Sequence, residues 1–126
     1  MKHIELGRWG EKQARDYLEG QGFVMRENNY RCKLGEIDLI ALDEGCLVFI
    51  EVKTRTSAAY GFPIEAIGRR KQEKYIKMAS IYIKEKGLYE VPFRFDVVEV
   101  MPGRSGQPII NHIPNAFQSI GGRYYL

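Results

Sequence analysis

Two short apolar runs with charges set into them constrain this chain more than any other feature: Gly35-Glu36-Ile37-Asp38-Leu39-Ile40-Ala41 and Leu47-Val48-Phe49-Ile50-Glu51-Val52-Lys53. Each has the length of a strand, and Leu42-Asp43-Glu44-Gly45 between them reads as a turn, so the pair predicts a hairpin. Side chains on a strand alternate between faces. Cys46, Val48, Ile50 and Val52 therefore share one face of the second run, and Leu47, Phe49, Glu51 and Lys53 the other. On the first run Glu36, Asp38 and Ile40 oppose Ile37, Leu39 and Ala41. A strand as apolar as the second is expected to be buried on both sides, yet it carries a carboxylate and an ammonium two residues apart.

The register of the hairpin decides what these charges meet. Setting Leu42 opposite Leu47, with a loop of Asp43 to Cys46, brings Asp38 opposite Glu51. Residues facing each other in an antiparallel pair lie about 5 Å apart on one face. A slip of one residue would put Asp38 against Ile50 and split the charges across the sheet. The first register gathers Asp38, Glu51 and Lys53. Two carboxylates at that spacing repel unless a proton or a cation sits between them. Mg²⁺ or Mn²⁺ suits such a site, since both take oxygen ligands and leave positions for water and phosphate. The plainer alternative is an ordinary hairpin closed by a cross-strand Asp–Lys pair.

A chain of 126 residues is expected to form one domain, residues 1–126, around one core, with about 119–126 as a frayed tail. At 44% hydrophobic and 28% charged it has the composition of an ordinary folded protein rather than a disordered one. No apolar run approaches the ~18 residues of a membrane span, and Met1-Lys2-His3-Ile4-Glu5 lacks the apolar core of a signal peptide. Cys32 and Cys46 have neither CxxC nor Cys/His spacing, which argues for reduced thiols in a cytoplasmic protein and against zinc. A net charge of +3 says little about nucleic acid, but the placement of the charges says more.

Arg8 to Gly20 reads as a helix on which Glu11, Ala14 and Leu18 share a stripe, widened by Trp9 and Tyr17. Glu11 either looks inward, where a carboxylate needs a partner or a metal, or lies at the margin and pairs with Arg8 or Arg15. Gly22 to Arg31 reads as a first strand, with Asn28-Asn29 a bulge or an early turn. Thr54 to Pro63 follows the hairpin as a loop carrying Arg55, which either contacts phosphate or is solvated. Pro63 suits a helix start, and helical spacing runs from Ile64 or Arg69 to Lys86, ended by Gly87. There Gln72, Ile76, Ala79 and Ile83 form one row, and Lys71, Tyr75, Met78 and Tyr82 the next. Arg69, Arg70, Lys71, Lys74 and Lys77 against Glu73 alone make a basic cluster able to attract phosphate, or a solvated helix face. Pro92 to Met101 reads as a fourth strand in which Asp96 is structural, paired with Arg94 or a neighbouring strand. Ile109 to Ile113 reads as a short edge strand, and neither His3 nor His112 has the spacing of a ligand or base.

Gly10-Glu11, Gly35 to Ile40, Phe49-Ile50-Glu51-Val52-Lys53-Thr54-Arg55 and Arg94-Phe95-Asp96-Val97-Val98 together resemble the YraN-like family of small bacterial proteins over nearly the whole chain. The order helix, three strands, helix, strand, with Glu-x-Lys ending the third strand, resembles the restriction-endonuclease-like PD-(D/E)xK nucleases, which include Holliday junction resolvases. That resemblance implies an α/β fold with an α-β-β-β-α-β core: a mixed central sheet of four to five strands flanked by helices. It also implies Mg²⁺- or Mn²⁺-dependent hydrolysis of a phosphodiester in nucleic acid, with DNA the expected form. By the same resemblance Asp38, Glu51 and the Val52 carbonyl hold the metal. Lys53 orients or deprotonates the attacking water, and Glu11 closes the site directly or through a water. Gln72, or Lys71 with it, matches a polar position on the second core helix, while Arg55 and the Arg69–Lys77 cluster grip phosphates. Junction-cutting relatives pair two sites, which implies a homodimer. Residue 37 is Ile where the superfamily has Pro. The alternative is a non-catalytic nucleic-acid-binding module that keeps the nuclease fold.

Overall fold

A computed structural model describes residues 3–56 and 67–118. The elements run α1 (His3–Gly20), β1 (Val24–Cys32), β2 (Gly35–Asp43), β3 (Cys46–Thr54), α2 (Arg69–Lys86), β4 (Phe93–Pro102) and β5 (Pro108–Phe117), with a short 3₁₀ turn at Arg104–Gly106 before β5. The strands form one sheet in chain order, β1 to β5. β3 and β4 are parallel and every other neighbouring pair is antiparallel. A parallel pair needs a crossover connection, and α2 lies within the one that joins β3 to β4. Among the described residues the architecture is therefore a mixed five-stranded sheet with two α-helices.

The alternation read from β3 sorts its side chains between two cores. Leu47 and Phe49 join Tyr75, Met78, Ala79, Tyr82 and Ile83 of α2 on one face. Val48 and Ile50 join Ala14 and Leu18 of α1 on the other. The apolar members of both expected helical stripes pack inward, while Glu11 and Gln72 are half-buried and Lys71 is exposed. α2 ends where expected: Gly87 takes a left-handed φ of 66° and its N–H reaches back to the carbonyls of Ile83 and Lys84. Burial of both faces of β3 explains why it is the most continuously apolar run in the chain.

Several boundaries differ from the sequence expectation. α1 begins at His3 rather than Arg8, because nothing in the first turns breaks the helix. The hairpin has the expected Leu42–Leu47 register, but pairing continues to Asp43–Cys46. The turn is thus Glu44-Gly45, with φ of 49° and 83°, not a four-residue loop; two successive positive φ values match the twist of the flanking strands. β5 spans ten residues instead of five, since Pro114 and Asn115 continue along β4 to Phe117 rather than ending the strand. β1 makes no early turn at Asn28-Asn29: its register shift falls between Met25 and Glu27, while Asn29 takes a left-handed φ of 54°. Ile37 departs from simple alternation, for it lies in the α2 core with Ile40 whereas Leu39 and Ala41 lie in the α1 core. The expected helix start at Pro63, most of the loop before it and the tail lie outside the described residues.

α1 crosses the end of β3 at very close range: a Cβ on Gly10 would lie 1.9 Å from Thr54 Oγ1. This approach brings the neighbouring Glu11 to the end of the sheet that carries Glu51 and Lys53. Gly10→Ala is expected to lower stability by about 1–3 kcal/mol through overpacking, and adding Thr54→Ala to recover part of it. Gly7→Ala, where an added Cβ meets nothing within 4 Å, is expected to raise stability by up to ~1 kcal/mol through helix propensity alone. Urea unfolding of the four proteins checks the sign of each change.

Candidate active site

The site arises where β2 and β3 stop pairing. Their ladder runs from Asp43–Cys46 to Leu39–Ile50, and the next rung in that register is Asp38 opposite Glu51. Side chains and α2 take over there. The Val52 N–H donates to Asp38 Oδ2 at 2.8 Å. The Asp38 N–H donates to the Tyr75 hydroxyl at 3.4 Å, and that hydroxyl donates to Glu51 Oε1 at 2.8 Å. Tyr75 thus bridges the two strands from the helix above them. The carboxylate of Glu51 is buried, with its second oxygen facing Lys71 Nζ in direct contact and Lys53 Nζ at 3.7 Å.

Burial and mutual repulsion push the ionisation of this cluster apart. Asp38 is pushed up to about 9, first by burial, then by its hydrogen bond to Glu51 and the charge there, against the opposing Val52 N–H. Glu51 is held below its ordinary value: burial opposes this, but hydrogen bonds from Asp38, Lys71 and Tyr75 outweigh it. The two carboxyls therefore share one proton, held on Asp38. Burial lowers the Lys53 ammonium, with Glu51 pulling the other way. Lys71 rises despite burial, because it bonds directly to Glu51. Burial and the two carboxylates drive the Tyr75 phenol well up, so it stays a neutral donor.

The remaining residues singled out from sequence divide into those near this cluster and those engaged elsewhere. Glu11 takes a hydrogen bond from Asn29 Nδ2 at 2.9 Å, and the same amide donates to Glu36 Oε1 at 2.9 Å. Arg15, one of its expected solvent partners, reaches Asn28 instead. Glu11 contributes to the repulsion felt by Asp38 and, with Val52 and Lys53, lines a small cavity of about 230 Å³ at the start of α1. Arg70, Lys71 and Lys74 line a larger cavity of about 530 Å³ with Glu36, Tyr75 and Met78. Gln72 donates to the Ile67 carbonyl at 2.8 Å. Arg55 pairs with Glu99 at 2.7 Å. Arg69 pairs with Glu73 within the helix, and Lys77 stands exposed. Asp96 is structural as expected, but its partners include His112 at 2.8 Å as well as Arg94 at 2.9 Å, so His112 does have a partner across the sheet.

Two site residues escaped the sequence reading of roles. Tyr75 looked like one more member of an apolar row; the signal available was its hydroxyl, which needs a partner once buried. Asn29 looked like turn chemistry, and its left-handed backbone is what aims its amide between Glu11 and Glu36. The donor chemistry at Asp38 and Glu51 is all hard oxygen, the class that Mg²⁺ and Mn²⁺ take. A proton and the Lys71 ammonium supply the positive charge the pair requires. Among the described residues no three His, Cys, Asp or Glu side chains are arranged to hold a metal.

A carboxyl with a higher pKa folded than unfolded binds its proton preferentially in the folded chain. Its contribution to stability is therefore full below the unfolded value near 3.8 and is lost as pH rises toward about 9. Asp38→Asn keeps the shape without the ionisation. It is expected to raise Tm at pH 8 by a few degrees, roughly the effect of 1 kcal/mol in a chain this size, and to flatten the fall in Tm between pH 4 and 9. Thermal melts of both proteins across that range provide the check.

The family model described as "Uncharacterised protein family UPF0102" matches residues 10–100, which contain Glu11, Asp38, Glu51, Lys53 and Lys71. A UPF0102 protein of Clostridium botulinum (strain 657 / Type Ba4) is 48% identical over 116 residues, covering 90% of this chain and 94% of its own. One from Caldanaerobacter subterraneus subsp. tengcongensis is 46% identical over 89% of this chain and 93% of its own. One from Trichlorobacter lovleyi is 46% identical over 89% of each. With a match across most of its length to the YraN-like sequences its motifs resemble, the chain belongs to the UPF0102 family.

Proposed function

We propose that this chain is a divalent-metal-dependent phosphodiesterase with a restriction-endonuclease-like fold, hydrolysing nucleic acid, DNA foremost. One observation carries the reading: where two strands part, the half-buried Asp38 and the buried Glu51 come together, and Glu51 lies against two lysines beside a cavity lined by further cations. Asp38 and Glu51 would hold Mg²⁺ or Mn²⁺, which supplies Lewis-acid stabilisation of charge on the phosphoryl oxygens. Lys53 sits beside Glu51 with its ammonium destabilised by burial. That is the direction a group needs if it is to take a proton from the attacking water and return it to solvent. Water oxygen bonds to phosphorus as the opposite P–O bond breaks, and the leaving oxygen gains a proton. Arg70, Lys71 and Lys74 neutralise the flanking phosphates, and the rigid Tyr75 bridge fixes the carboxylates before substrate arrives.

A second reading, a nucleic-acid-binding module that keeps the fold without cleavage, is favoured by the absence of a three-donor metal group among the described residues. The two separate in one assay, in which nicked, flapped and four-way-junction DNA are incubated with the protein and Mg²⁺ or Mn²⁺. The enzyme reading expects metal-dependent cleavage that Lys53→Ala reduces by about 10²-fold or more, the usual scale for a lost proton-transfer group. Binding without cleavage by wild type supports the module, and cleavage undiminished in Lys53→Ala removes the role given to that lysine.

A further inference from the structure

Lys71 stands at a boundary. Its Nζ contacts Glu51, whose side chain is only 5% exposed, yet its own side chain is 44% exposed and lines the 530 Å³ cavity with Arg70 and Lys74. Lys74 lines the same cavity and approaches the backbone at Gly35. Of the two lysines, Lys71 is the one paired with the buried Glu51, the neighbour of Asp38. A lysine stem is long and its ammonium makes three rotatable hydrogen bonds, so a small rotation carries the charge from the pair to the open space.

We propose that Lys71 is the built-in, exchangeable counter-ion of the carboxylate pair, holding the place of a divalent cation and joining the anion-binding cavity when that cation arrives. This deepens the metal-dependent reading above and rests on it. Two consequences follow from charge alone. Lys71 competes with a divalent cation for Glu51, which keeps cation affinity low in the absence of substrate. A cation at Asp38 and Glu51 repels the ammonium toward the cavity, where an anionic phosphate-like group finds a third positive charge. Metal and anion then strengthen each other's binding, and by linkage the enhancement is equal in both directions. The site would thus assemble its full metal complement only with substrate in place.

The test is calorimetric titration of the full chain with Mn²⁺, with and without sulfate as the anion probe, in wild type, Lys71→Met and Lys74→Met. Lys71→Met is expected to bind Mn²⁺ at least tenfold more tightly than wild type. Lys74→Met, which removes the same charge from the same cavity without freeing Glu51, is expected to stay within about threefold of wild type. Sulfate is expected to tighten Mn²⁺ binding severalfold in wild type and not in Lys71→Met. Equal Mn²⁺ affinity in all three proteins, an equal gain in both variants, or sulfate coupling that survives in Lys71→Met overturns the counter-ion role while leaving the metal site standing. Absence of Mn²⁺ binding in all three overturns both. Circular dichroism of each variant establishes that it is folded before titration.

Discussion

The arrangement at this end of the sheet follows from one electrostatic problem: the half-buried Asp38 and the buried Glu51 come together where both lose much of their hydration. Two neighbouring carboxylates withdrawn from water resist being ionised together. The chain answers with a proton on Asp38, a phenol from Tyr75 and an ammonium from Lys71. Those partners come from α2, which lies in the crossover between the parallel strands β3 and β4. The topology and the site are therefore one fact. The parallel pair requires a crossing element, and here the first turns of the helix in that connection carry the groups that neutralise the strand ends.

The opposite face of the same sheet shows what a carboxylate looks like when the problem is fully solved. Asp96 is entirely buried, yet Arg94, His112 and the Asn115 N–H together supply donors to both its oxygens. Those donors hold its ionisation below the ordinary carboxylate value in spite of burial. Arg94 also reaches Asp43 at the end of β2, so this cluster ties β2, β4 and β5 together. One backbone N–H and one neighbouring acid serve Asp38, and its ionisation moves the other way. Asp96 keeps its charge because every side of it meets a donor, whereas Asp38, with fewer donors, is pushed toward its neutral form.

Much of this was legible in the chain because period and register are properties of sequence. The alternation along Leu47–Lys53 and the pairing of Leu42 with Leu47 are enough to bring Asp38 to Glu51. The rows on α2 name the buried Tyr75, Ile76, Met78, Ala79, Tyr82 and Ile83 and miss Ser80, whose hydroxyl bonds back to the Ile76 carbonyl. Individual side-chain commitments were not legible, since they depend on elements far apart in the chain. Gln72 and Lys71 are neighbours with similar reach, yet one turns back to the Ile67 carbonyl and the other inward to Glu51. Arg55 finds Glu99 only because β3 and β4 run in parallel, with Lys53 beside Glu99 in register. The reversal of alternation near Asp38 is likewise invisible to a period-two rule. It accompanies the left-handed Asn29 on the neighbouring strand, a conformation Asn tolerates but no pattern demands.

Lys53 and Lys71 complete the argument because they are the same side chain in two environments. Both lie near Glu51 and both are partly withdrawn from water, but only Lys71 makes the direct contact. Burial therefore wins at Lys53 and weakens its hold on a proton, while the ion pair wins at Lys71 and strengthens it. Two groups of one type beside the same carboxylate are thus pushed in opposite directions by their surroundings alone. A merely structural ion pair needs one such lysine. The second is more weakly held and lines the cavity at the start of α1 with Glu11.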